Sequence, residues 1–296
     1  MKKFTKNIGK ITLGSAQFGM SYGITNKLGK VSKKEIQNIL RYSKLIGINS
    51  IDTAQAYSNS ESILGNIGIK KFLISTKLLS FTRKKRLTIE DQINKTIESS
   101  LKKLKIEKLD TVFIHDPKEL KSKKGDSILN ALFKLKSKKL INQIGASLYT
   151  IKDLNYLTSE FNLDKIQFPY NVFDQRLKQH RYFEKLKKKK ILIETRSIFL
   201  QGLLLENRKN TMKNFSSWKK EWNKWDLFLS KNNISPITAC LDFVLKEKYI
   251  NKILVGVQTT NQLKEIVKSL KLLKNLNYEK LASSDIKLIN PSIWKK

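Results

Sequence analysis

The chain has 296 residues, 40% of them hydrophobic, enough for a large buried core and consistent with one α/β barrel domain. Its 59 Lys and Arg outweigh 25 Asp and Glu, giving a net charge of +34, and its single cysteine, Cys240, excludes an intramolecular disulfide framework and a Cys-based metal cluster. No run approaches the ~18 apolar residues of a membrane span, and the opening MKKFTKNIGKITLG lacks the continuous apolar segment of a secretory signal, so a cytoplasmic protein is expected.

Short apolar runs alternate with longer amphipathic ones along the chain. KITLG (10–14) precedes a helical pattern at 32–46, where Ser32 and Glu35 have the spacing of a capping box and Gly47 supplies a stop. NSID (49–52) leads to a helix at 60–67, KFLISTK (71–77) to one at 89–104, and LDTVFIH (109–115) to one at 126–138. INQIGAS (141–147) and KIQFPYN (165–171) are followed by helices at 150–161 and 179–188. After ILIETRS (191–197) comes an insertion at about 200–230. It begins with LQGLLLENRKNTMKNF, long enough for a mobile lid. It continues as WKKEWNKW, where Trp218, Trp222 and Trp225 form one helical stripe, read as packing onto the barrel rather than shaping a substrate pocket. Ser235-Pro236 caps and starts a helix at 236–246, and KILVGV (252–257) precedes the last, at 261–273. No linker or low-complexity boundary interrupts this order, so residues 1–296 are read as a single domain. Eight strand–helix units imply a (β/α)8 TIM barrel; a doubly wound sheet would require a GxGxxG turn, and LGSAQFG lacks that spacing.

In such a barrel the active site forms at the C-terminal ends of the strands. Asp52, Lys77 and His115 end the second, third and fourth runs, and Tyr57 lies in the loop just beyond the second. Singly, a strand-end lysine is usually a solvated residue and a lone histidine a structural one. Four ionisable groups converging on one face suit proton delivery to a developing alkoxide. A tyrosine, with a pKa near ~10, is a poor acid, and an adjacent ammonium is expected to lower that value. Asp52 would hold Lys77 in place and charged, and His115 would hold the substrate oxygen. An acid with neither nucleophile nor metal fits carbonyl reduction by hydride transfer, a cofactor performing the hard step. No metal site is expected.

The segments LGSAQFG, GINSIDTAQAYSNSESILG, ISTK, LDTVFIHDP, IGAS, IQFPYN and ILVGVQTTNQL, in this order and spacing, resemble the aldo-keto reductases from about residue 10 to about residue 273. The resemblance implies a (β/α)8 barrel that binds NADP(H), or less often NAD(H), in an extended pose and reduces an aldehyde or ketone to an alcohol. Sugar-derived or other polar aldehydes are the expected substrates. Asp52, Tyr57, Lys77 and His115 match the family's catalytic tetrad, with Tyr57 as proton donor, Tyr57 and His115 facing the substrate, and Asp52 also beside the cofactor. Gly14 and Ser15 match the loop near the nicotinamide; Ser147 and Gln167 match the groups that bind its carboxamide, while Leu148 replaces a family asparagine. Arg196 and Ser197 stand where an aromatic often stacks on the nicotinamide; Arg196 would either stack there or turn toward the pyrophosphate. Residues 256–262 match the loop that grips the adenosine phosphates, through Gly256, Gln258 and Gln262. Several family members clamp the 2′-phosphate there with a lysine and an arginine, where this chain has Gly256 and Gln262. Lys264 lies close, so only a mild preference for NADPH over NADH is expected. Asp116 would contact a polar substrate or cap a turn.

The positive charge has a bland reading. Only seven of the 59 cationic residues are arginines, the better phosphate readers, and the lysines are spread over a chain rich in Asn and Ile. The expected partner is a small-molecule carbonyl substrate, with no specific nucleic acid, no membrane, and no signal for any oligomeric state. Weak, salt-sensitive adhesion to anions is still expected. The alternative to an enzyme is a non-catalytic nucleotide-binding regulator of the same fold, against which the intact tetrad argues.

Overall fold

The computed structural model of the protein describes residues 2–80, 87–206 and 213–294. Eight parallel strands close into a barrel in sequence order: β1 (Ile11–Gly14), β2 (Ser50–Asp52), β3 (Leu73–Leu78), β4 (Leu109–Ile114), β5 (Ile141–Ser147), β6 (Lys165–Pro169), β7 (Leu192–Arg196) and β8 (Lys252–Gly256). The register aligns Gly14 with both Asp52 on β2 and Gly256 on β8, which brings the strand ends to one level.

Alternation along the strands separates two interiors. Leu13, Ile51, Ile74, Val112, Ile144, Ile166, Ile193 and Ile253 are fully buried and belong to the apolar core, together with the residues of the surrounding helices. The complementary set meets inside the barrel and is polar: Ser50, Thr111, Gln143, Lys165, Gln167, Glu194 and Lys252 interact with one another there. Lumens of this fold are more often filled by bulky branched residues. Here Lys165 Nζ lies 3.1 Å from Glu194 Oε2, and Lys252 donates to Ser50 Oγ at 2.7 Å.

The helices between strands start on the short polar side chains that supply missing acceptors. Ser32, Thr88, Thr150, Ser235 and Thr259 each accept from the backbone N–H three residues on, and Gly47 ends its helix in the left-handed region at φ 92°. Two expectations differ in detail. Glu35 does not close a capping box with Ser32; its carboxylate instead accepts from Thr260 N and Thr260 Oγ1 at the start of the last barrel helix, Thr260–Ser269. The helix expected at 179–188 is broken, with Arg176–Gln179 separated from Tyr182–Lys188 by Arg181 at φ 56°. A short helix, Lys2–Gly9, precedes β1. No helix among the described residues is long and apolar enough to cross a membrane.

The Trp-bearing helix is Lys219–Lys231. Trp222 and Trp225 are buried, donating to Phe215 O at 2.7 Å and Leu204 O at 3.1 Å, so packing is the role of both. Trp218 falls one residue before that helix and donates to Asp285. Of the stretch expected to form a lid, residues 207–212 lie outside the described residues.

Helix Ser60–Ile67 packs so closely on helix Ile89–Leu104 that a Cβ at Gly65 would lie 2.0 Å from Lys103 O. Gly65→Ala is therefore expected to lower stability by roughly 1–3 kcal/mol, seen as a lower urea midpoint. Gly9→Ala, with nothing within 4 Å of the added carbon, should stay within about 0.5 kcal/mol of the parent.

Candidate active site

β2 and β3 end side by side and deliver Asp52 and Lys77 into the top of the lumen, 0% and 2% exposed. Two opposite charges removed from water must pair, since either one alone would be strongly destabilising. Lys77 Nζ donates to Asp52 Oδ1 and, at 3.2 Å, to Thr53 O. The second Asp52 oxygen accepts from Gln167 Nε2 at 3.0 Å, and the same amide nitrogen donates to Glu194 Oε1 at 2.9 Å. A continuous chain of polar contacts thus runs down the barrel axis through Lys77, Asp52, Gln167, Glu194 and Lys165.

Tyr57 sits above this chain, the Lys77 ammonium lying 5.2 Å from its ring centroid. Its backbone is fixed by contact with Gly19, where a Cβ would stand 1.8 Å from Tyr57 O. His115 follows β4 directly, its N–H donating to Leu78 O at 3.3 Å.

Burial would lower the Lys77 ammonium, but Asp52, the Tyr57 oxygen and Glu194 together hold it above its usual range. For Tyr57, burial raises the hydroxyl and outweighs the pull of Lys77, so the net shift is upward, opposite to the expected one. The hydroxyl therefore keeps its proton throughout the neutral range. Burial, with Lys77 and Arg196 adding, pushes His115 down to about 4 and leaves a neutral imidazole near pH 7.

One cavity of about 630 Å³ opens over these groups. The structure brings Gly14, Asp52, Tyr57, Lys77, His115, Ser147, Gln167, Arg196, Ser197, Gly256, Gln258 and Gln262 to its wall. Ser15 is not brought there; it is fully buried and its hydroxyl accepts from Ser60 Oγ at 2.8 Å.

The sequence profile of the Aldo/keto reductase family matches residues 10–288. The chain belongs to the aldo/keto reductase family. It is 30% identical over 223 residues to a glyoxal reductase of Bacillus subtilis (strain 168), an alignment covering 70% of this chain and 78% of that protein. Among solved structures, an aldo-keto reductase from Bacillus halodurans matches with a TM-score of 0.72 at 18% identity, covering 93% of this chain and 92% of that one. A glycerol dehydrogenase from Gluconobacter oxydans matches with a TM-score of 0.68 at 22% identity, covering 92% and 88%. These structural likenesses bear on the fold, and the family makes the chain an oxidoreductase.

In this aldo/keto reductase several of the side chains singled out in the sequence are engaged by other protein groups. Arg196 turns away from β8: it crosses β6 to the β5 loop, donating to Leu148 O at 2.9 Å with its guanidinium 3.7 Å from the Tyr149 ring centroid. Gln258 Nε2 is bound to Asn26 Oδ1 at 2.6 Å, and Gln262 Oε1 accepts from Gln258 N at 2.7 Å. Lys264 leaves the cavity and faces the Tyr42 ring at 5.9 Å. Asp116 caps a turn, accepting from Lys118 N at 2.9 Å.

Sequence reasoning missed Tyr22, Thr25, Asn26, Tyr149 and Gln201, which also line the cavity. Thr25 Oγ1 donates to Gln201 O at 3.0 Å, and Gln201 Oε1 accepts from Ile24 N at 3.2 Å, tying the β1 loop to the β7 loop. The signal available was positional: these residues follow the ends of β1, β5 and β7.

Because His115 is held below the ~6.5 of an unfolded chain, the stability linked to it is full above pH 6.5 and is lost as pH falls toward about 4. Imidazole NMR titration of a His180→Gln variant, which leaves one histidine signal, is expected to give a midpoint near 4; a midpoint near 6.5 would refute the burial account.

Proposed function

We propose that the chain reduces a small polar aldehyde or ketone to an alcohol with a hydride from a nicotinamide dinucleotide, Tyr57 Oη giving its proton to the substrate oxygen. The observation that carries this reading is the buried Asp52–Lys77 ion pair beneath Tyr57, with His115 on the same cavity wall. The 30%-identical relative named a glyoxal reductase supports a small carbonyl substrate.

The donor set fits such a cofactor. Gln167 commits its amide nitrogen to Asp52 and Glu194, and its oxygen has only a 3.5 Å contact from Ser147 Oγ among the described residues. That oxygen suits a carboxamide N–H, and the Ser147 hydroxyl suits the carboxamide oxygen. The cleft continues to Gly256, Gln258, Gln262 and Glu265, and among the described residues no Lys or Arg lines that end. Lys264 and Arg41 line a neighbouring pocket with Thr259 and Thr260, so NADH is expected to serve about as well as NADPH. A dinucleotide bound there supplies the hydride.

The chain's own residues do the rest. Lys77, kept charged by Asp52, favours the phenolate that Tyr57 becomes on losing its proton. His115, neutral at working pH, can donate one N–H to the carbonyl oxygen without repelling Lys77. Asp52 acts through Lys77 and is a positioning residue.

Tyr57→Phe is expected to lower kcat by at least about 100-fold while cofactor affinity, followed by nicotinamide fluorescence, stays within about twofold of the parent. Turnover retained by the variant would sink the assignment.

A further inference from the structure

Two buried arginines reach the same loop, Arg176 from the short helix Arg176–Gln179 after β6 and Arg196 from the end of β7, and they differ in one respect. Arg176 is neutralised: its Nε and Nη2 each donate to Asp174 at 2.7 Å, while Nη1 donates to Tyr149 O at 2.9 Å. Arg196 is only 8% exposed, yet no carboxylate lies within ion-pair distance of it among the described residues. Its Nη2 is held by Leu148 O at 2.9 Å, Nη1 has a 3.5 Å contact with Ser197 Oγ, and one face lies on Tyr149. A guanidinium carries five donors, so part of its edge is left for the cavity that it lines.

The charge around that edge is unbalanced. Near the tetrad the cavity lining holds Lys77, Asp52 and Arg196, and the first two neutralise each other. One positive charge remains, held away from water, beside the groups proposed to reduce the carbonyl. Buried charges are expected to be paired; Asp174, the carboxylate whose field reaches Arg196, is already held by two hydrogen bonds from Arg176. Arg196 leans toward β5, away from the β8 side where residues 256–262, the loop expected to take the adenosine phosphates, line the cleft.

We propose that Arg196 recognises the substrate: the reducible compound carries an anionic group, a carboxylate or phosphate, gripped by the edge of the guanidinium that Leu148 and Tyr149 leave free. This assignment rests on the carbonyl-reductase reading and narrows it to anionic aldehydes and ketones. Tyr149, itself braced by Arg176, orients the planar fork, and a fork of fixed orientation favours bidentate contact with two anionic oxygens.

The test compares charged aldehydes with uncharged counterparts: glyoxylate with glyoxal, succinic semialdehyde with butanal, and glyceraldehyde 3-phosphate with glyceraldehyde. Work in about 0.3 M salt screens the surface lysines. The parent enzyme is expected to show at least about tenfold higher kcat/KM for the charged member of one pair or more. Arg196→Met should lower that charged-to-uncharged ratio by at least about 30-fold, mainly through KM, and Arg196→Lys should restore only part of it. A parent that does not favour any charged member overturns the proposal, as does a variant that loses both members of a pair equally. Weakened NADH and NADPH binding in Arg196→Met, with an unchanged ratio, would overturn it by giving the cation to the cofactor phosphates. If none of the six compounds is turned over, the reductase reading fails, and this assignment fails with it.

Discussion

The Asp52–Lys77 pair dictates much of what surrounds it. An ammonium and a carboxylate buried at the top of a barrel are tolerable only if each remaining lone pair and proton finds a partner. Thr53 O takes one Lys77 proton, and Gln167 satisfies the second Asp52 oxygen. Gln167 then brings in Glu194, and Glu194 brings in Lys165. The polar lumen is thus the continuation of the site downward, and the apolar core lies outside it, between strands and helices. Such a lumen fixes the height and orientation of the ammonium under Tyr57.

Above the pair, precision comes from close backbone approach and from loops tied to one another. Gly19 lets the turn after β1 touch the Tyr57 backbone, a contact no larger residue allows. The β1 loop is bound to the β7 loop through Gln201 and to the β8 loop through Gln258. Side chains that the resemblance assigned to the cofactor therefore also organise the cleft. Polar groups committed in this way leave the β8 end of the cleft lined by amides and Glu265.

The strands and most helices were legible in the sequence because alternating short apolar and amphipathic runs leave a clear period, and because Ser32, Ser235 and Gly47 are strong local punctuation. The placement of Asp52, Lys77 and His115 at strand ends, with Tyr57 just beyond, followed from chain position, and their grouping as a catalytic set came from the resemblance. Glu194 and Lys165 were hidden for a physical reason: a barrel strand is buried on both faces, so a charge inside ILIETRS or at the start of KIQFPYN carries no visible sign that it points into the lumen. The upward shift of Tyr57 was equally hidden, since it depends on how far burial outweighs Lys77. Arg181 broke an expected helix because a left-handed residue leaves no mark in amphipathic spacing. Ser15 was expected beside the cofactor because it matches the family's loop after the first strand, and its side chain turns to Ser60.

The proposed reaction moves a hydride from a bound nicotinamide to a carbonyl carbon. The most direct measurement uses NADH and NADPH deuterated at C4, in both stereochemical forms, with glyoxal and glyoxylate, and mass spectrometry of the alcohol. The account predicts one deuterium on the reduced carbon, from one of the two forms only. Alcohol without deuterium from either form, or no alcohol at all, would contradict it.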